Sequence, residues 1–245
     1  VWQEEIPKDV HVGLKCKLKF MREVMVQYLQ HRLLKWFDEN HRIFPWREDQ
    51  ATKYQQIVSE ILLQRTKAET VAKYYDTFFS KFPDWNALAN ASLEELEEIM
   101  KPLGLYHHRA RRLYKLGEDI RRRGGRIPGD ENELRDSGFI GLYVTNAFEL
   151  FILKNRKPLL DVNMSRLLKR YFKPGDFIDV RHDKEIQELA NDIIEVRRCK
   201  ELNWAILDYA ALVCKVRNPL CGKCVLNKYC RYYELFQGDV TEKPE

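Results

Sequence analysis

Apolar residues along this chain recur at helical spacing, and almost nowhere do they alternate with the period of two that a half-buried strand requires. From Phe20, the residues Val24, Tyr28, Leu29, Leu33 and Phe37 fall on one stripe and predict an amphipathic helix that stops near Asn40. Ile43 to Arg47 form an extended connector, since Pro45 disfavours helix at the residue before it. A helix over about Thr52 to Thr66 buries Tyr54, Ile57, Val58, Ile61 and Leu62. At about 100° per residue this puts Glu60 well away from the stripe's centre and Arg65 on the apolar side near the helix end. Periodicity by itself makes Glu60 a solvated helix carboxylate. Further helices are predicted from Val71 to Phe82, from a Ser92-x-x-Glu95 capping box to Met100, over Glu131 to Asp136, and from Leu142 to about Leu153. Beyond Asp161, placed as an N-cap, comes a helix bearing Met164, Leu167, Leu168 and Tyr171, then helices near Ile186 to Val196 and Leu202 to Cys214. The fold class is therefore all-α. Residues 1–19, with Pro7, Gly13 and mixed charges, show little periodicity and read as an N-terminal extension.

At 245 residues with 44% hydrophobic and 12% aromatic content, the chain can bury a sizeable core and is not a disordered one. Its 42 Lys and Arg against 37 Asp and Glu leave a net charge of +5, which permits a nucleic-acid partner without demanding one. There is no basic segment followed by an apolar run at the start, and no stretch of the roughly 20 apolar residues that a membrane span needs. An intracellular protein is expected, in the cytoplasm or nucleoid, or in the nucleus of a eukaryote.

Of the six cysteines, Cys16 and Cys199 are isolated, which fits a reducing compartment. Cys214, Cys221, Cys224 and Cys230 stand six, two and five residues apart in a polar segment. Soft thiolates at ligand spacing serve either a tetrahedral zinc or an iron–sulfur cluster. Zinc ribbons usually present two short knuckles; the single Cys221–Cys224 knuckle favours a [4Fe–4S] cluster. A basic run, Arg109, Arg111, Arg112, Lys115, Arg121, Arg122, Arg123 and Arg126, follows His107 and His108. It reads equally as a solvated helix face and as a phosphate-facing surface. Ser137-Gly138-Phe139-Ile140-Gly141 makes a tight turn between two helices, a scaffold whose open N–H groups attract anions.

Several segments in order resemble one family: Phe44-Pro45-Trp46-Arg47, Ser59 to Thr66, Arg109-Ala110-Arg111, the turn with Tyr143, Asp161-Val162-Asn163 and the four cysteines. Together they are similar to helix-hairpin-helix DNA glycosylases of the endonuclease III and MutY superfamily, most of all to the mismatch-specific thymine/uracil DNA glycosylases. The resemblance implies a two-domain fold with the scissile nucleotide bound between the domains. A six-helix barrel domain with the helix-hairpin-helix would span residues 49–155. An iron–sulfur cluster domain would be assembled from 20–48 and 156–245.

It also implies chemistry. Asp161 matches the catalytic aspartate that stabilises positive charge on the sugar, and Glu60 the general acid that protonates the departing base. Tyr143 stands where endonuclease III-like enzymes carry a Schiff-base lysine; a tyrosine forms no imine, so a monofunctional enzyme with little or no AP-lyase activity is expected. Cys214, Cys221, Cys224 and Cys230 would hold the [4Fe–4S] cluster. Arg65 would fill the space of the flipped base. Gln64, His107, Arg109, Gly138, Gly141, Lys215 and Lys223 would contact duplex DNA carrying a mismatched or damaged base, bound by a monomer. The hairpin departs from the family's Leu-Pro-Gly-Val-Gly, with glycine for proline and Phe139 for glycine. The expected function is base excision repair by removal of thymine or uracil opposite guanine. The alternatives are an adenine, other purine or damaged-base glycosylase of the MutY type, and a non-catalytic iron–sulfur DNA-binding or redox-sensing relative.

Overall fold

A computed structural model describes residues 8–104, 106–136, 141–173, 179 and 183–238. Among these the regular structure is helical throughout, with no strand. None of the helices is long and apolar enough to cross a membrane. The chain forms two compact units, one being Arg42–Leu159 and the other drawn from the residues up to His41 and from Leu160 onward. The divisions fall at 41/42 and 159/160, where the sequence suggested 48/49 and 155/156. At the first division, Phe44 and Trp46 bury their rings against each other, and Trp46 also meets Tyr75, so the connector belongs with the inserted unit.

In the discontinuous unit, α1 (Lys8–Asn40) packs Leu29 and Leu33, both fully buried, toward α10 (Lys184–Ile194) and α11 (Cys199–Leu212). The helix begins twelve residues ahead of Phe20, so residues 8–19 are helical rather than an irregular extension; residues 1–7 lie outside the described residues. No proline follows Pro7 until Pro45, and nothing interrupts the backbone ladder between them. Helix α9 (Val162–Phe172) contributes Leu167, Leu168 and Tyr171 to the same core. The Tyr171 hydroxyl donates to the Met25 carbonyl at 3.2 Å, which ties α9 to α1. Two 3-10 turns in the cysteine loop, Cys221–Lys223 and Asn227–Tyr229, lead to α12 (Arg231–Gly238), which rests on α9.

In the inserted unit, α2 (Lys53–Leu63) starts with a capping box between Thr52 and Gln55. It lies against both α3 (Ala68–Lys81) and α8 (Leu142–Phe148). Helix α6 (Tyr106–Arg122), the basic run of the sequence, crosses α4 (Trp85–Asn90) and α5 (Leu93–Met100). At Gly117 a Cβ would stand 2.7 Å from the Leu88 carbonyl oxygen, so glycine is what lets α6 lie this close to α4. The short α7 (Glu131–Arg135) precedes the hairpin; its turn residues 137–140 lie outside the described residues. Helix α8 continues into one π turn, Glu149–Leu153, closed by Lys154 at φ +62°. The buried Glu149 carboxylate meets Lys157 there at 3.1 Å.

Candidate active site and cluster loop

Glu60 is buried, 3% exposed, which overturns the solvated position that periodicity alone assigns it. The reason is that α2 is covered by α8 as well as by α3, so the buried arc takes in Ser59 and Glu60 beside the apolar stripe. A carboxyl so placed needs donors. One is the Tyr143 hydroxyl, which lies in the second position of α8 and donates to Glu60 Oε2 at 2.7 Å. The structure thus joins two of the three catalytic candidates, from positions 83 residues apart, inside one unit. Gly141, at φ +101° with open space where a Cβ would be, sets the left-handed entry into α8. Gly138 lies outside the described residues.

Helix α2 ends at Leu63, and the turn after it holds the next candidates. Arg65 is exposed and sits at φ +58°, a left-handed conformation that costs a non-glycine residue about 1–3 kcal/mol unless its surroundings impose it. The sequence placed Arg65 on the apolar side of the helix; the early end of α2 turns it out to solvent instead. Gln64 accepts from Arg112 through its side-chain oxygen. Arg109 corrects the expectation of a DNA contact, because it is only 4% exposed and its guanidinium is spent within the protein. It donates to the carbonyls of Leu103 at 2.7 Å and Gly104 at 2.8 Å, and to the Gln64 carbonyl and the Thr66 hydroxyl. Burial, and then the neighbouring Arg112 cation, hold its pKa below the usual guanidinium value. His107 is exposed at the start of α6, with Nδ1 2.9 Å from Glu97.

The third carboxylate is on the discontinuous unit. Asp161 caps α9: Oδ1 accepts from the amides of Asn163 at 2.9 Å and Met164 at 2.8 Å, and Oδ2 from Asn163 Nδ2 at 2.6 Å. Burial raises its pKa, and these donors, which favour the charged form, only partly offset the rise. Asn163 Oδ1 in turn accepts from Arg166 at 3.0 Å. Arg166 also donates to the carbonyls of Ala210 at 2.9 Å and Cys214 at 3.1 Å, at the end of α11. A hydrogen-bonded path therefore runs from Asp161 to the first thiol residue. Asn163 and Arg166 were invisible as a pair to hydrophobic periodicity, although their spacing of three on a helix with an apolar opposite face was a usable signal.

Cys214, Cys221, Cys224 and Cys230 all line one cavity, closed on other sides by residues such as Leu220 and Tyr233. Among the described residues, no three His, Cys, Asp or Glu side chains converge tightly enough to hold a single metal ion. Four thiols lining one cavity form a ligand set of the kind that holds an iron–sulfur cluster. Burial raises the pKa of Cys221 and Cys224 and pushes that of Cys230 up to about 11. Donors already point at the sulfurs: the Tyr209 hydroxyl meets Cys224 Sγ at 3.1 Å, and Arg170 meets Cys214 Sγ at 3.6 Å. Lys215 and Lys223 are exposed on the same loop.

Comparison with known proteins agrees with this layout. Residues 58–196 match the model of the HhH-GPD superfamily base excision DNA repair proteins, and residues 214–230 match the iron–sulfur binding domain of endonuclease III. A thymine-DNA glycosylase of Aeropyrum pernix is 33% identical over 87% of this chain and 98% of its own length. A thymine/uracil-DNA glycosylase of Methanothermobacter thermautotrophicus is 31% identical over 82% of this chain and 91% of its own. The solved structure of a thermostable thymine-DNA glycosylase superposes with a TM-score of 0.75 at 30% identity, covering 87% of this chain and 97% of that one. The helical fold and the [4Fe–4S] cofactor follow from these matches, and the chain belongs to the HhH-GPD superfamily of base excision DNA repair proteins.

Proposed function

We propose that this DNA glycosylase removes thymine or uracil mispaired with guanine, acting as a monomer and hydrolysing the N-glycosidic bond to leave an abasic site. The observation that carries this reading is the Tyr143–Glu60 hydrogen bond inside the unit that holds α2 and α8. It pairs a buried carboxyl with a phenol, where an enzyme working through an imine needs an amine. Glu60 is the acid that meets the departing base, and Tyr143 fixes the orientation of its carboxyl. Asp161 supplies the negative charge that stabilises the cationic sugar as the bond breaks, and the water that ends the reaction is positioned by the same carboxylate. Its two backbone donors and Asn163 hold that carboxylate in place. The target base must leave the stack to be reached. Arg65, outside on its turn, takes the vacated space, while Gln64, His107, Gly141, Lys215 and Lys223 contact the surrounding duplex. Cys214, Cys221, Cys224 and Cys230 ligate the cluster, which when bound anchors the loop at four points.

The test is incubation of the holoprotein with duplexes carrying one T:G or U:G mismatch, alongside a panel of mispaired adenine and other lesions. Alkali-dependent cleavage at the thymine or uracil, with no strand break before alkali, is the expected result. Release confined to a purine would move the activity to the MutY type, and DNA binding without release of any base would leave a non-catalytic relative.

A further inference from the structure

Arg109 carries more than a buried charge normally does. Guanidinium groups in protein interiors are usually paired with a carboxylate, yet among the described residues the acceptors of this one are neutral: three carbonyls and one hydroxyl. Those four acceptors lie on two turns far apart in sequence. Gln64 and Thr66 flank Arg65 after α2, and Leu103 and Gly104 precede α6. Both turns are left-handed at one residue, Arg65 at φ +58° and Gly104 at φ +68°. A left-handed arginine persists only where neighbours over-determine it. Here the carbonyl before it and the hydroxyl after it are both held by Arg109, and the Gln64 side chain by Arg112. The outcome is a rigid turn with one exposed cation at its tip.

We propose that Arg109 is a positioning residue for extrusion of the target base: it locks the 64–66 turn to the 103–104 turn so that Arg65 is presented to the duplex in one fixed conformation. This rests on the glycosylase activity proposed above. Arg109 itself touches no DNA. Lysine cannot substitute, because its single ammonium lacks the planar fork that reaches four acceptors on two segments.

The experiment compares the holoprotein with Arg109→Lys, Arg65→Ala and the double variant, on uracil opposite guanine in a duplex and on the same uracil in single-stranded DNA, which needs no extrusion. A side chain misplaced by about 1 Å costs on the order of 100-fold in rate. Arg109→Lys is therefore expected to lose about that factor in single-turnover release from the duplex and little from the single strand. Added to Arg65→Ala it should cost almost nothing more, since the residue it positions is gone. Equal losses on both substrates, or full additivity with Arg65→Ala, would overturn the proposal. Amide hydrogen exchange reads the staple without catalysis: exchange at Gln64 and Thr66 should rise in Arg109→Lys, and unchanged protection there also overturns it. Thr66→Val, which deletes one acceptor and keeps the charge, should show the same pattern to a smaller degree and serves if Arg109→Lys fails to fold. If the unmutated protein releases no base while the exchange result holds, the proposed activity falls and the staple stands.

Discussion

Asp161 has two tasks, capping α9 and, in the proposed reaction, opposing the charge on the sugar, and two substitutions separate them. Asp161→Asn keeps an oxygen for the amides of Asn163 and Met164, which the native Oδ1 serves at 2.9 and 2.8 Å. Asparagine and aspartate are nearly equivalent caps, whereas alanine costs about 0.5–2 kcal/mol. In a domain of this size each kcal/mol moves the melting midpoint by about 2–4 °C, so Asp161→Ala should unfold a few degrees below Asp161→Asn. Burial raises the pKa of the native carboxyl, meaning that its ionised form is disfavoured in the fold. Asp161→Asn removes that charge and is expected to melt no lower than the native protein at pH 7. Both variants lose the same electrostatic help to the transition state, for which a preorganised group is worth about 10²–10³ in rate, or roughly 2.7–4 kcal/mol. The assay pairs single-turnover release from a U:G duplex with thermal unfolding of the holoprotein followed by circular dichroism. An Asp161→Asn rate within tenfold of native would refute the catalytic role; equal melting of the Asn and Ala variants would refute the capping role.

Other outcomes follow from the same geometry. Tyr143→Phe removes the 2.7 Å bond to Glu60; a bond to a protonated carboxyl is worth about 0.5–1.5 kcal/mol, so single-turnover release should slow by about 2- to 10-fold, and an unchanged rate would remove Tyr143 from the site. The rate should fall with decreasing pH at a midpoint above the ordinary aspartate value of 3.8, because Asp161 must be ionised and its folded pKa is raised. Linkage gives the companion sign: the fold binds this proton more tightly than the unfolded chain, so Asp161's stabilising contribution is present below 3.8 and is lost as pH rises through the folded pKa. A pH–stability curve of Asp161→Asn lacking that decline would confirm the source. Tyr209→Phe deletes the donor 3.1 Å from Cys224 Sγ; a donor to sulfur favours the more negative reduced cluster, so the variant's reduction potential should be lower by voltammetry, and an unshifted potential would show the bond is absent in the holoprotein.

The parts of this picture that reach back to sequence are those set by local pattern. The stripes of α2 and α9, the Ser92 capping box and the cysteine spacing all depend on residues within a few turns of one another, and they stand where the spacing put them. Where two elements press on one helix, periodicity fails. Glu60 looks solvated because its own helix offers a stripe elsewhere, and only α8 lying over that face explains the burial. Arg109 looks like part of a phosphate-facing run because the seven other residues of that run are cations; its four acceptors come from turns that no window along the chain would combine. Helix α4 went unpredicted, since six residues with two asparagines carry too little periodicity, and the Asp84 cap that starts it has no apolar run to announce.

The cysteine loop gains a purpose beyond holding iron once α9 and α11 are considered together. The last carbonyls of a helix lack intrahelical partners, and a cation at that end is favoured by the dipole. Any lysine or a terminal glycine would satisfy the end of α11. The residue used is Arg166, whose fork spans the Ala210 and Cys214 carbonyls and still leaves a donor for Asn163. Asn163 then binds Asp161 Oδ2, so the carboxylate is oriented by the same guanidinium that fixes the entry to the thiols. If Cys214 shifts, the carbonyl that Arg166 grips shifts with it, and the second oxygen of Asp161 loses its anchor while the cap on Oδ1 persists. Loss of the cluster should therefore reorient the reacting carboxylate before it melts α9, because the cap is local to that helix and the anchor is not.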